Sequence, residues 1–138
     1  IVGAGRVGSA IARWLVESDH EIAIIDNDEA RCRAIEEELG GVVVPGEGTE
    51  AAILGRAGAN RADVFIATTR RDDDNLVVCQ LAKHRFGAAR VVALVNVPEH
   101  VELFNRLGID VSVNTTAILV DSIQEDLASL MIEEAKGF

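Results

Sequence analysis

The chain has 138 residues, 49% of them hydrophobic, and a formal net charge of −10. That size suits one ordinary domain, able to bury about two thirds of its unfolded surface without a disulfide or metal. Thirteen cations, of which only Lys83 and Lys136 are lysines, stand against 23 acidic residues, and this balance excludes a nucleic-acid binder, which needs clustered Lys and Arg.

No stretch approaches the ~20 apolar residues of a membrane helix, and no signal peptide is visible; a cytoplasmic domain is expected. Cys32 and Cys79 lie far apart, with no CxxC or Cys/His cluster. They read as buried thiols in a reducing compartment, and no metal site is expected.

The chain opens with Ile1-Val2, only two residues before Gly3. A strand needs about five, so the chain is expected to begin inside its first strand and to be part of a longer protein. Further apolar runs follow at Ile22 to Ile25, Val42 to Val44, Val64 to Ala67, Val91 to Val95 and Val111 to Val113. Between them, helices are expected at about 6–18, 28–39, 49–58, 72–86, 98–107 and 116–135. Asp28 and Thr49 are candidate N-caps, Pro98 suits a first helical turn, and Gly40, Gly58, Gly87 and Gly108 stand where helices should stop. This alternation predicts an α/β fold of Rossmann-like, doubly wound type: a parallel six-stranded sheet in the order 3-2-1-4-5-6. Residues 1–115 form the expected domain. Residues 116–138 add a C-terminal helix whose apolar stripe, Ile123, Leu127, Leu130 and Met131, would serve equally to cover its own sheet or to pack against another subunit.

Gly3, Gly5 and Gly8 form G-x-G-x-x-G at the first strand-to-helix junction. Glycine there permits the tight turn, the approach of a pyrophosphate to backbone, and close helix–strand packing, while the helix N-terminus offers free N–H groups. The second strand ends in Asp26, 18 residues beyond Gly8, where a carboxylate can accept both hydroxyls of an adenosine ribose; the alternative is a strand-end cap. Asp26 also disfavours a 2′-phosphate, because like charges ~4 Å apart repel by up to about 4 kcal/mol at an effective dielectric of ~20. NAD(H), ATP or ADP therefore rank above NADP(H).

Arg6 is a candidate phosphate donor or a solvent-facing cation. In V-P-G-E-G-T, residues 44–49, Glu47 is a candidate acceptor for an adenine amino group or simply part of a polar turn. Thr68, Thr69 and Arg70 follow strand four at the carboxyl edge of the sheet, where open α/β sheets bind ligands. Asp72, Asp73 and Asp74 read as first-turn charges that favour a helix N-terminus, with a divalent-cation site as the lesser alternative. His20, His84 and His100 come with no evident acid–base partner, and neither GxSxG nor a Walker lysine pattern is present. A non-enzymatic role is expected.

Taken together, I-V-G-A-G-R-V-G, I-I-D-N-D-E-A-R, G-E-G-T with L-G-R-A-G-A-N-R-A-D, A-T-T-R-R-D-D-D-N-L-V-V-C-Q-L-A-K and V-N-V-P-E-H with L-F-N-R-L-G-I-D-V resemble the TrkA-N, KTN or RCK domains. These are regulatory nucleotide-binding domains of potassium transport systems. The resemblance implies a Rossmann-like domain that binds NAD(H) or ATP/ADP and gates a membrane-embedded potassium transporter or channel. It implies homo-oligomers as well: dimers, commonly built into tetramers or octameric rings, with the last helix packed between partners. By it, Gly3, Ala4, Gly5, Arg6 and Val7 hold the phosphates, Asp26 the ribose, Glu47 the adenine side, and Thr69 and Arg70 the ligand beyond the sheet edge. Leu94 departs from the pattern, standing where many relatives carry a cation, and Glu47 stands where Asp is frequent. The alternatives are a fragment of an NAD-dependent oxidoreductase, or a regulatory domain of another cation channel or antiporter.

Overall fold

A computed structural model describes residues 1–136. The helices are α1 (Arg6–Glu17), α2 (Glu29–Leu39), α3 (Ala51–Arg56), α4 (Asp72–His84), α5 (Val101–Arg106) and α6 (Thr115–Lys136). The strands are β1 (Ile24–Asp26), β2 (Val43–Pro45), β3 (Val64–Ala67), β4 (Arg90–Val95) and β5 (Val111–Asn114). Five strands form among the described residues, where six were expected. The first apolar run contributes only Val2, in isolated parallel bridges to Ile25 of β1 and Ala67 of β3. The reason is local: Gly3, with φ +106°, turns the chain out of extended geometry after two residues.

Those bridges still join the two halves of the sheet. The Val2 amide donates to the Ile66 carbonyl and the Val2 carbonyl accepts from Thr68, each at 2.8 Å, while the Gly3 amide donates to the Ile25 carbonyl at 2.8 Å. Parallel β1–β2 pairing lies on one side and parallel β3–β4–β5 pairing on the other.

Side chains alternate across a strand, and the core divides accordingly. Ile24 joins Ala12 of α1 and Ile35 of α2, whereas Ile25 joins the cluster of Leu54, Val78, Val91 and Phe104 from α3, α4, β4 and α5. Helices therefore cover both faces, and the crossover from one face to the other opens a crevice beside Val2 at the carboxyl edge of the sheet.

The helix ends differ from expectation in detail. Asp28 caps α2, its side chain accepting from the Arg31 amide at 3.0 Å. Thr49 does not cap α3; the N-cap is Glu50, without a side-chain bond. That helix is shorter than expected, and the left-handed Gly58 (φ +91°) leads into a 3-10 turn at Ala59–Arg61. A second 3-10 turn, Pro98–His100, precedes α5 and opens with Pro98. α6 buries none of its residues. Its apolar stripe faces outward, with Leu130 57% and Met131 69% exposed, so it does not cover its own sheet.

Candidate functional site

The loop from Gly3 to Gly8 has three glycines with three different surroundings. A Cβ on Gly8 would stand 1.8 Å from the Gly3 carbonyl oxygen, so only glycine lets α1 lie this close to the loop. A Cβ on Gly3 would meet the Thr68 hydroxyl at 2.8 Å. Gly5 has nothing within 4 Å. It is the N-cap of α1, with no side-chain cap and no acidic residue in the following turn, so the free N–H groups and positive end of the helix meet open space.

That space is a cleft of about 660 Å³, within the range of small-molecule sites. Gly3, Ala4, Gly5, Arg6, Val7, Asp26, Glu47, Thr68, Thr69 and Arg70 all border it; Gly8 does not, lying behind the loop. Asn27, Arg31, Asn96 and Thr115 complete the wall and were not singled out from sequence. Four arginines, Arg6, Arg31, Arg70 and Arg71, face three carboxylates, Asp26, Glu47 and Asp74. In a chain of net charge −10, the cleft gathers four arginines.

Asp26 is 7% exposed. One oxygen accepts from the Ala4 amide at 2.7 Å and the other from the Asp28 amide at 2.8 Å, with the Arg31 guanidinium 3.8 Å away. A carboxylate has about four acceptor positions, so each oxygen can still take a hydroxyl. Beneath it, the buried Cys32 thiol donates to the Asp26 carbonyl at 3.3 Å. Burial, with the nearby Asp26 and Asp28 charges, pushes that thiol's pKa up. Burial similarly pushes Cys79 up to about 12. Both thiols stay protonated and packed. Glu47 is exposed and accepts from the Asn27 side chain at 2.5 Å.

Across the loop, Thr68 is turned inward: its hydroxyl lies 3.1 Å from both the Val2 and Gly3 carbonyl oxygens. Thr69 binds the Asn75 side chain at 2.6 Å. Arg71 is held by Asp73 at 2.9 Å and lies 3.7 Å from Asp74, whereas Arg6 and Arg70 have no carboxylate partner among the described residues.

Asp72 goes beyond the expectation for the aspartate run. It is 8% exposed and accepts from the Asn96 and Val97 amides, the Asn96 side chain and His100 Nδ1, at 2.7, 3.0, 2.9 and 2.8 Å. Burial pushes its pKa up, but these hydrogen bonds, led by the Asn96 amide, outweigh burial and hold it below the usual carboxylate value. Asn75, fully buried, ties the Thr69 and Leu94 carbonyls together at 3.0 and 2.9 Å. Asp72 shares the first turn of α4 with Asp73 and Asp74, and it also ties that turn to the Asn96–His100 segment. Among the described residues no three His, Cys, Asp or Glu side chains converge as a metal would require.

The TrkA-N domain family profile matches residues 1–115. The chain is 37% identical over 110 residues to a Trk system potassium uptake protein TrkA homolog of Methanothermobacter thermautotrophicus, covering 80% of this chain and 50% of that protein. The chain thus spans half the length of that relative. Among solved structures, the TrkA-N domain of the inner membrane protein ybaL from Escherichia coli superposes with a TM-score of 0.84 at 22% identity, covering 91% of this chain and 93% of that one; the likeness establishes the shared fold. The RCK domain of GsuK superposes with a TM-score of 0.79 at 28% identity, over 96% of this chain and 29% of that one. The GsuK channel bound to NAD gives a TM-score of 0.75 at 26% identity, over 86% of this chain and 21% of that one. With its profile match over most of the sequence and its α/β core of parallel strands, the chain belongs to the TrkA-N domain family.

Proposed function

We propose that the cleft binds an adenosine nucleotide without a 2′-phosphate, NAD(H) or ATP/ADP, and that its occupancy is the signal the domain reports. The observation that carries this reading is the pairing of the uncapped α1 N-terminus at Gly5 with the buried Asp26 carboxylate across one cleft bordered by four arginines. Phosphates seat on the helix N-terminus and the loop from Gly3 to Val7, with Arg6 above them. The ribose hydroxyls use the acceptor positions left on Asp26, and Glu47 with Asn27 lies toward the base. Thr68 shapes the loop from below, while Thr69 and Arg70 face whatever extends past the phosphates.

The domain acts as a sensor and carries out no chemistry of its own. Of the five hydroxyl side chains bordering the cleft, those of Ser9, Thr68 and Thr69 are engaged within the chain, and no histidine borders it among the described residues. Residues 1–115 are the nucleotide domain, and the segment from 116 onward joins copies of the chain through the outward stripe of α6, giving a dimer or a ring of dimers. In the cytoplasm, at the inner face of the membrane, this assembly gates a potassium transporter or channel. Such gating requires different nucleotide affinity in the two gating states.

Asp26→Ala is the direct test. It should weaken NADH or ATP binding by at least about tenfold, since hydrogen bonds to a charged group are each worth about 1.5–3 kcal/mol. Unchanged affinity by titration calorimetry would remove this site from consideration.

A further inference from the structure

The cleft has two halves on either side of the glycine loop. On the β1–β2 side stand Asp26, Asn27 and Glu47; on the β3–β5 side stand Thr69, Leu94, Asn96 and Thr115. Each half is held by its own bonds. Asp26 is fixed by Ala4 and Asp28. The far wall hangs instead on Asp72, which does not itself border the cleft. Asp72 holds Asn96 by amide and side chain; the Asn96 side chain also reaches the Thr69 carbonyl at 3.2 Å, and Asn75 ties Thr69 to Leu94. Among the described residues no side-chain hydrogen bond joins this set to the Asp26 set.

We propose that Asp72, supported from outside by His100, is a positioning residue for the far half of the cleft, controlling affinity for the part of the ligand beyond its AMP moiety while leaving recognition of the AMP moiety unchanged. This rests on the nucleotide reading above. Asp72 takes four donors on two oxygens, so an uncharged amide in its place would turn an NH₂ group toward donors. The Asn96–Val97 turn would shift, and the Thr69 and Leu94 edges of the wall with it. The His100 side chain is half exposed and, among the described residues, its hydrogen bond to the network is the one to Asp72, at 2.8 Å; His100 does not border the cleft. A change there reaches the ligand only through the carboxylate.

The test compares AMP with whichever of NADH or ATP binds the unaltered full chain more tightly, by titration calorimetry. Asp72→Asn should weaken the longer ligand by about tenfold, the scale of losing hydrogen bonds to a charged group, with the AMP affinity unchanged. His100→Ala should weaken the longer ligand by about threefold, the scale of one peripheral hydrogen bond, again without changing AMP. Because His100 is surface-exposed, that variant keeps the test decisive even if Asp72→Asn does not fold. Equal losses for AMP and the longer ligand, or no loss in His100→Ala, overturn the positioning role and leave the nucleotide reading standing. If the unaltered chain binds neither AMP, NADH nor ATP, the nucleotide reading fails and this inference falls with it.

Discussion

Among the helices that start at the carboxyl edge of the sheet, α1 and α4 have first turns finished in opposite ways. α1 begins behind a glycine, with no side-chain cap and no acid in its first turn. α4 begins with Asp72, Asp73 and Asp74, and its first turn is wired into the chain by Asp72 and the buried Asn75. A helix N-terminus left with free donors is an anion site; one surrounded by its own carboxylates is a piece of scaffold. The contrast separates the part of the crevice open to a ligand from the part that gives the crevice its shape.

The most severe way to break the α1 side is Gly8→Ala. Its Cβ would sit 1.8 Å from the Gly3 carbonyl oxygen, so the helix must retreat from the loop, at a cost of about 3 kcal/mol in urea unfolding, the scale of forced overpacking. An unchanged unfolding midpoint would show that α1 is free to back away. Gly5→Asp would make the start of α1 resemble that of α4. Gly5 has an extended backbone (φ −75°, ψ −161°) and open space around its Cβ, so aspartate fits and caps the helix, raising stability by a few tenths of a kcal/mol. Its charge beside the phosphates should weaken nucleotide binding by about 2 kcal/mol, roughly thirtyfold. Tighter binding would place the phosphates elsewhere.

The smallest expected effect is on the α4 side. The pKa of Asp72 lies below its ordinary value of 3.8, so the folded state favours its ionised form. Its contribution to stability is complete above about pH 4 and is lost as pH falls through the lower folded value. Asp72→Asn should therefore cost about 1 kcal/mol at pH 7, with the gap to the unaltered chain closing under acid in urea titrations from pH 7 to about pH 2. A gap that stays constant would mean that the shape of the side chain matters and its charge does not.

The glycine loop and Asp26 were readable because their geometry is local: a strand end, a turn and a helix start within eight residues, and a carboxylate closing the next strand. Thr68 was placed at the right edge, but its inward hydroxyl depends on the Val2 and Gly3 carbonyls, which lie 66 and 65 residues away. Asp72 looked like its two neighbours because helix-start aspartates share one local pattern. What distinguishes it is a turn 24 to 28 residues further on. Asn75 and Asn96 stood inside motifs that carried the family resemblance, but no local pattern gave either of them a role. The first strand was expected from two apolar residues and proved to be a pair of bridges, since Gly3 turns the chain away directly after Val2.

By itself, the sequence determined the alternation of strands and helices, the steric need for glycine in the loop from Gly3 to Gly8, and the acid at the end of β1. These follow from periodicity and backbone sterics, which act between near neighbours. Only the tertiary structure decided that α6 turns its apolar stripe outward, that one aspartate of three is buried, and that four arginines gather at one cleft of an acidic chain. Burial and local field are sums over groups brought together from distant parts of the chain, and no short stretch of sequence contains them.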